Sequence, residues 1–512
     1  MDIAGTSSDK SEPVNMDWDE DCIVISNVKS KTAIQGYHYP KLSKEQYKPP
    51  EPPTKLMKPS LSIRDDLTAI KFVENFHYNW VNSNGLSTDD VEIVKDPFKV
   101  CVVNNLLDDQ AILNEIRDEF NEMPLNKRSL DLYEFFQSKD LKDVSSYYVS
   151  CMYEFLKGEV KNWVQRLTKM NLTNISATCS LYGHTDYLLV HDDLQDDRAI
   201  AFVLYFTGPI DWKIENGGAL QLYGRDDVGE PSQVIRNIYP RNNQFIFFQV
   251  ANNSYHQVEE IINRDDCRMS INGWFHSKND LPHKPLQTTS SGAVFSDNFL
   301  KPKMLDFSLE SWIHPHYLDY EIIESIQQQI EDESEIALQY FIKADMWQNV
   351  VSNLYSSDLK WNKAGPPNRR SYHTLSEDNL PKDLSQFIDM FLSRQMFDLL
   401  KKLTDLDLQC VRYELQRWGP QCYSLLSDYD WLSTQELDLI LYLGLPDVLV
   451  PVVGGKTMYI SLEEVVQSAL ITVDPHENRL NIVYRDTARI TKYVSKCSKT
   501  ATFFVLICSY SE

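Results

Sequence analysis

The chain has 512 residues, room for two domains of ordinary size, and 42% of them are apolar, with 27 Tyr and 22 Phe, which excludes a chain disordered throughout. A formal charge of -24 excludes phosphate-backbone binding as the main activity and speaks for a basic protein partner, although solubility alone would also account for it. No apolar window approaches a membrane span, Met1 opens a polar, acidic stretch instead of a secretory signal, and the nine cysteines include no C-x-x-C pair. These features predict a reducing compartment, no disulfide framework and no zinc knuckle, and make Asn171-Leu172-Thr173 a chance glycosylation match.

Residues 1–65 read as a disordered acidic leader, because Lys48-Pro49-Pro50-Glu51-Pro52-Pro53 and Lys58-Pro59 deny the backbone regular hydrogen bonding. From 66 the pattern is helical. Leu67, Ile70, Val73 and Phe76 recur at helical spacing, and 108–122 and 147–170 repeat it. Short apolar runs follow at 187–190, 199–206, 219–223, 244–250 and 269–275, separated by turns such as Asn216-Gly217-Gly218 and Asn252-Asn253-Ser254. Helices first and strands after predict an α+β domain over 66–278, an antiparallel double sheet buttressed by helices. Residues 279–308 read as a linker. Over 309–512 the order repeats, with helices at about 317–355 and 382–404 and then strands.

The two halves also match in detail. Tyr-x-Leu-Val-His-Asp-Asp at 187–193 aligns with Tyr-Ser-Leu-Leu-Ser-Asp-Tyr at 423–429, and both lead at matching intervals to Tyr205 or Tyr442 and then to Gly217-Gly218 or Gly454-Gly455. One fold is predicted to occur twice.

A non-haem iron that binds both a co-substrate and oxygen needs three protein ligands on one face, and two imidazoles with one carboxylate supply them. His191-x-Asp193 puts two such side chains on one side of a strand end, and His256 follows a strong apolar strand and a polar turn. H-x-D alone is a weak signal. It gains weight from Arg268-Met-Ser-Ile-Asn-Gly-Trp-Phe, whose alternation sends Arg268, Ser270, Asn272 and Trp274 to one face and Met269, Ile271 and Phe275 to the other. A barrel interior that receives an arginine needs an anion, and the C5 carboxylate of 2-oxoglutarate fits the guanidinium fork, with the Ser270 hydroxyl as a further donor. A salt bridge to an interior aspartate would satisfy Arg268 equally well.

Taken together, Tyr-x-Leu-Val-His-Asp-Asp, Ala-Phe-Val-Leu-Tyr, Gly-Gly-x-Leu-x-Leu-Tyr, Tyr-His-Gln-Val-x-Glu and Arg-Met-Ser-Ile-Asn-Gly-Trp-Phe-His resemble the ribosomal prolyl 3-hydroxylase family of 2-oxoglutarate oxygenases, the OGFOD-type and yeast termination-associated proteins. The resemblance runs from about 66 to the chain's end. It implies two tandem double-stranded β-helix (jelly-roll) domains, the second without metal, and 3-hydroxylation of a proline in a small ribosomal subunit protein at the decoding centre. It implies Fe(II), 2-oxoglutarate and O2, with ascorbate as a further cofactor. His191, Asp193 and His256 match the family's iron ligands and Arg268 its 2-oxoglutarate arginine. Tyr182 and Tyr205 match tyrosines that bond the co-substrate, although core aromatics on strands would look the same. Nucleus and cytoplasm are implied as locations, and translation termination or stress-granule factors as further partners.

Acidic Asp192, Asp196 and Asp197 near the predicted mouth could receive the basic flanks of a substrate, or form a solvated loop. In the second copy Ser427, Tyr429, Lys492 and Phe504 align with His191, Asp193, His256 and Arg268, and cannot make a facial triad. The uniformly apolar end, 500–508, departs from the family's last strand. Competing readings are an oxygenase acting on lysine or on a nucleic acid base, which the lack of a basic run near His191 or His256 disfavours, and a translation-associated scaffold with a vestigial site.

Overall fold

The structure, a computed structural model, describes residues 61–512 apart from 110, 196, 209–210, 279–298, 307, 427–434, 446–451, 462–467 and 499–501. The leader up to residue 60, most of the linker, Asp196, Ser427 and Tyr429 lie outside the described residues.

In the first half the barrel strands are β1 Val100–Val103, β2 Tyr133–Gln137, β3 Leu172–Tyr182, β4 Tyr187–His191, β5 Arg198–Tyr205, β6 Leu220–Arg225, β7 Pro231–Ile238, β8 Phe245–Gln249, β9 His256–Val258 and β10 Arg268–Ser277. They pair in the order β1-β8-β5-β10-β3-β2-β4-β9-β6-β7, extended beyond β1 by Val91–Val94 and Leu86–Ser87. The runs β8-β5-β10-β3 and β4-β9-β6-β7 are the two faces of a double-stranded β-helix, with β2 bridging them through β3 and β4.

The second half supplies β11 Glu335–Gln339, β12 Arg370–Leu375, β13 Cys410–Trp418, β14 Tyr423–Ser424, β15 Glu436–Leu443, β16 Thr457–Ser461, β17 Ser468–Val473, β18 Arg479–Arg485, β19 Ala488–Thr491 and β20 Phe503–Ser511. Their order is β11-β18-β15-β20-β13-β12-β14-β19-β16-β17, the same succession strand for strand.

Each half buries one sheet face beneath its helices. Phe76, Trp80 and Trp163 from the helices meet Phe245 and Phe247 of β8, with ring centroids 5.6–6.5 Å apart. Ile70 departs from the predicted stripe. The chain breaks at Ala69, between helices Asp65–Thr68 and Ile70–Val81, and the second helix starts with Ile70 in solvent while Val73 and Phe76 stay buried.

Helix was predicted throughout 317–355, yet β11 interrupts it between helices Tyr320–Glu333 and Ala344–Leu354. Ile336 and Leu338 of β11 are buried beside β18, so sheet pairing overrides the helical spacing around them. Similarly, 382–404 is two helices parted at Ser393, whose hydroxyl accepts from the Met396 amide as an N-cap. The apolar tail also has a physical reason. β20 is central and covered on both sides, with Phe504, Leu506, Cys508 and Tyr510 facing the helices and Phe503, Val505 and Ile507 filling the barrel.

The halves meet through equivalent positions. Tyr187 and Leu189 of β4 cluster with Tyr423 of β14, Leu425 just after it, and Tyr493, in the manner of a self-complementary dimer interface.

Candidate active site

The strand register gathers the site. β9 pairs with β4 so that His256 stands opposite His191, with ring centroids 4.2 Å apart. Asp193 follows the end of β4 with φ +62, a left-handed conformation that Asp tolerates, which returns its carboxylate to the rings. His191 Nε2 lies 3.6 Å from Asp193 Oδ1 and His256 Nε2 lies 3.4 Å from Oδ2. One ligand atom from each of the three residues falls within 4.8 Å of the other two.

Both rings are fixed in the tautomer a metal requires. His191 Nδ1 is 2.8 Å from the Leu189 carbonyl and His256 Nδ1 is 2.7 Å from the Ser254 carbonyl. A carbonyl only accepts, so each Nδ1 carries the proton and each Nε2 offers a lone pair to the shared space. Burial, followed by the adjacent His191 ring, holds the His256 imidazole down to about 4, so it is neutral at ordinary pH. Phe248 covers its other side edge-on at 4.8 Å.

Arg268 opens β10 and is 2% exposed. Its Nη2 donates to the Tyr205 hydroxyl at 2.9 Å, and its guanidinium lies 4.8 Å from the Tyr205 ring and 5.0 Å from that of Tyr182. Tyr182 stacks on Phe135 at 4.7 Å, and burial pushes its phenol up, which keeps it a protonated donor. Ser270, paired across the sheet with Tyr205 and Ser180, is fully buried.

The interior face of β10 carries a row of buried polar atoms without protein partners: Arg268 Nε, Ser270 Oγ, Asn272 Oδ1 and Trp274 Nε1, with Ser180 Oγ beside them. No carboxylate among the described residues pairs with Arg268, so the interior salt bridge that would have explained this arginine is not there. Buried polar atoms in such number call for a polar ligand with an anionic end.

The wall beside Arg268 is Gly217-Gly218. A Cβ on Gly218, whose φ is +74, would stand 2.5 Å from Ile261 Cδ1 and 3.4 Å from Arg268 Cδ. A Cβ on Gly217 would stand 2.1 Å from the Glu260 carbonyl oxygen, so the two backbone segments approach only because Gly217 has no side chain, while Gly218 leaves room for Ile261.

Sequence reasoning missed Arg198 at the start of β5. Its guanidinium stacks 3.6 Å over Trp274 and its Nη1 is 3.9 Å from Asp193 Oδ1, so it supports the carboxylate from behind. A cation five residues past H-x-D, at a strand start, was the available signal. Of the acidic residues expected at the mouth, Asp197 pairs with His276 at 2.6 Å, and Asp192 accepts from the Leu194 amide at 3.1 Å.

Residues 177–276 match the 2OG-Fe(II) oxygenase superfamily, and residues 305–512 match the family described as oxoglutarate and iron-dependent oxygenase degradation C-term. The chain is 35% identical over 459 residues to the prolyl 3-hydroxylase sudestada1 of Drosophila melanogaster, which spans 82% of this chain and 84% of that protein. It is 30% identical over 464 residues to the prolyl 3-hydroxylase OGFOD1 of Xenopus laevis, spanning 82% and 88%. The chain belongs to the prolyl 3-hydroxylase family of 2-oxoglutarate- and Fe(II)-dependent oxygenases. Among solved structures, a prolyl-4-hydroxylase of Pseudomonas putida aligns with TM-score 0.30 and 16% identity, over 35% of this chain and 93% of that one.

The family's iron and 2-oxoglutarate fit what is present. Two imidazoles and a carboxylate converge on one point, and a buried guanidinium with unpartnered donors lies in the same barrel. The second half differs at every described counterpart. Its register places Arg489, and not Lys492, at the position of His256, because Arg489 opposes Tyr459 as His256 opposes Leu222. It places Phe503, and not Phe504, at that of Arg268, since Phe503 opposes Trp418 as Arg268 opposes Tyr182. Counting along the sequence overshoots Arg489 chiefly because the turn from Phe245 to His256 is longer than the one from Leu480 to Arg489; the next turn compensates, and the miss by one at Phe503 comes from unequal intervals upstream of Phe245 and Leu480.

Proposed function

We propose that this chain hydroxylates C3 of a proline in a small ribosomal subunit protein at the decoding centre, using the first barrel for catalysis and keeping the second as a metal-free copy that binds and stabilises. The observation that carries this reading is the convergence of His191, Asp193 and His256 beside an Arg268 that lacks a carboxylate partner among the described residues. Family membership supports the prolyl target, and the net charge of -24 suits a basic ribosomal partner.

Bound iron and 2-oxoglutarate supply the oxidising chemistry, with O2 as oxidant and ascorbate as a sustaining reductant. His191, Asp193 and His256 would hold the metal on one face and leave the opposite face open. The Leu189 and Ser254 carbonyls keep both imidazoles in the liganding tautomer. Arg268 and Tyr205 would take the distal carboxylate of 2-oxoglutarate, with Ser270 and Tyr182 as further donors and the apolar ring of Phe248 excluding water on the His256 side. Arg198 holds the Asp193 carboxylate in place.

The test incubates the full chain with Fe(II), 2-oxoglutarate, ascorbate, O2 and small-subunit ribosomal proteins, and reads peptides by mass spectrometry. One added oxygen on a single proline, lost in His191→Ala, is the expected result. Succinate release with no modified proline overturns the prolyl assignment, and no succinate at all overturns the oxygenase. In the scaffold reading, cells carrying His191→Ala would keep every translation phenotype of the unaltered chain.

A further inference from the structure

At the seam between the halves, Glu260 links the second half to the wall of the Arg268 pocket. Glu260, 1% exposed, follows β9 in the first half, and among the described residues the donors to its carboxylate all lie on one short segment of the second half. Tyr493 Oη donates at 3.1 Å and the Lys496 amide at 2.7 Å, and the Ser495 hydroxyl makes a third bond. Next to it, Lys496 Nζ binds Glu259. Three donors on one buried carboxylate fix its position and that of the backbone carrying it.

That backbone is the far side of the pocket wall. The Glu260 carbonyl accepts from the Gly218 amide at 3.3 Å, Gly217 bridges to Ile261, and the Ile262 amide donates to Asn216 at 2.8 Å. Ile261 is fully buried and packs with Tyr182, Phe135 and Val258, and its Cδ1 faces Gly218. Gly218 in turn lies against Arg268 Cδ. Glu260 turns toward the second half while Ile261, the next residue, turns toward Tyr182 and Gly218.

We propose that Glu260 is a positioning residue through which Tyr493, Ser495 and Lys496 of the second half set the Gly217-Gly218 wall and, with it, the affinity of Arg268 for 2-oxoglutarate. The inference rests on the reading of Arg268 as the 2-oxoglutarate residue. It gives the second half a role in catalysis without a metal: co-substrate affinity depends on the halves being docked. The coupling runs through contiguous hydrogen bonds and packing, and requires no rearrangement of either barrel.

The full chain loaded with Mn(II) in place of Fe(II) is titrated with 2-oxoglutarate by calorimetry, for the unaltered protein and for Ser495→Ala, Ser495→Thr and Glu260→Gln. Ser495→Ala and Glu260→Gln are expected to weaken 2-oxoglutarate binding about three- to ten-fold. Mn(II) affinity should stay within about two-fold, and Ser495→Thr, which keeps the hydroxyl, should restore binding. In turnover the Fe(II) enzyme should show a raised KM for 2-oxoglutarate with kcat retained. Equal 2-oxoglutarate affinity in Ser495→Ala and the unaltered chain overturns the proposal and leaves the oxygenase reading standing. A parallel fall in Mn(II) and 2-oxoglutarate affinity, with a lower melting temperature and no rescue by Ser495→Thr, shows general loosening and also overturns it. If the unaltered chain binds no 2-oxoglutarate, the reading of Arg268 falls and the proposal falls with it.

Discussion

Arg268 lies 2.9 Å from the Tyr205 hydroxyl inside the first barrel, a buried cation that faces two phenol rings and, among the described residues, meets no carboxylate. A buried charge without a counter-ion is costly, and removing it in favour of a packed apolar side chain is commonly neutral or stabilising. Without ligand, the pocket therefore holds Arg268 at the expense of stability.

Arg268→Met is accordingly expected to leave the ligand-free melting temperature unchanged or raise it, while abolishing 2-oxoglutarate binding. In the unaltered chain with Mn(II), 2-oxoglutarate at a hundred times its Kd should add about 2.7 kcal/mol of stability, and in Arg268→Met nothing. Thermal melts with and without 2-oxoglutarate decide the point. A ligand-induced shift that survives the substitution removes Arg268 from the binding site.

His256 sets a pH dependence for the metal-free protein. Its folded value of about 4 lies below the 6.5 of a free imidazole, held there first by burial and then by His191. Between these values the unfolded chain binds more protons than the folded one, so stability is full above pH 6.5 and is lost as pH falls toward 4. The group's share is on the order of 3 kcal/mol across that window. Urea midpoints measured at several pH values should fall more steeply in the unaltered chain than in His256→Phe, and equal slopes would rule the attribution out.

The strands around the site were legible because an antiparallel sheet with one face on a core alternates, and β10 announced both its faces in Arg268, Ser270, Asn272 and Trp274 against Met269, Ile271 and Phe275. The ligands were legible by type and order. Loop lengths were not, since a turn two residues longer changes nothing in the pattern on either side, and Lys492 was matched where Arg489 stands. Glu260 closes the Tyr-His-Gln-Val-x-Glu motif, but what it binds was not legible. Its donors are more than 230 residues away, and only the docking of two barrels brings them together.

Gly218→Ala tests the close approach to Arg268. At φ +74 an alanine costs roughly 1–2 kcal/mol in backbone conformation alone, and its methyl meets Ile261 before it meets Arg268. The variant should fold with a lowered melting temperature, and if Ile261 moves to admit the methyl and shifts the wall against Arg268, 2-oxoglutarate should bind about ten-fold more weakly, a loss near 1.4 kcal/mol. Binding equal to that of the unaltered chain would show that the wall does not position the arginine.

In the second barrel the position equivalent to His256 is occupied by Arg489, and what it meets there is a carboxylate. Asp438 is fully buried. It contacts Arg489 and Arg485, the latter at 2.9 Å, and accepts from Tyr459 at 2.9 Å and from Ser509 at 2.5 Å. Burial pushes this carboxyl up, and the two guanidiniums and the two hydroxyls outweigh it and hold it down to about 2. Asp438→Asn keeps the shape and removes the charge that both Arg489 and Arg485 contact. Breaking a buried pair from one side costs about 3–5 kcal/mol, whereas replacing both members by apolar residues can cost little. Asp438→Asn should therefore destabilise strongly, and the double substitution Asp438→Leu with Arg489→Met should recover much of the loss. Chemical denaturation of Asp438→Leu, Arg489→Met and the double gives the coupling directly. Because the cation Arg489 stands where the first barrel has the ligand His256, Mn(II) binding should saturate at one ion per chain in every variant, and a second ion bound would overturn the reading of the second barrel as metal-free.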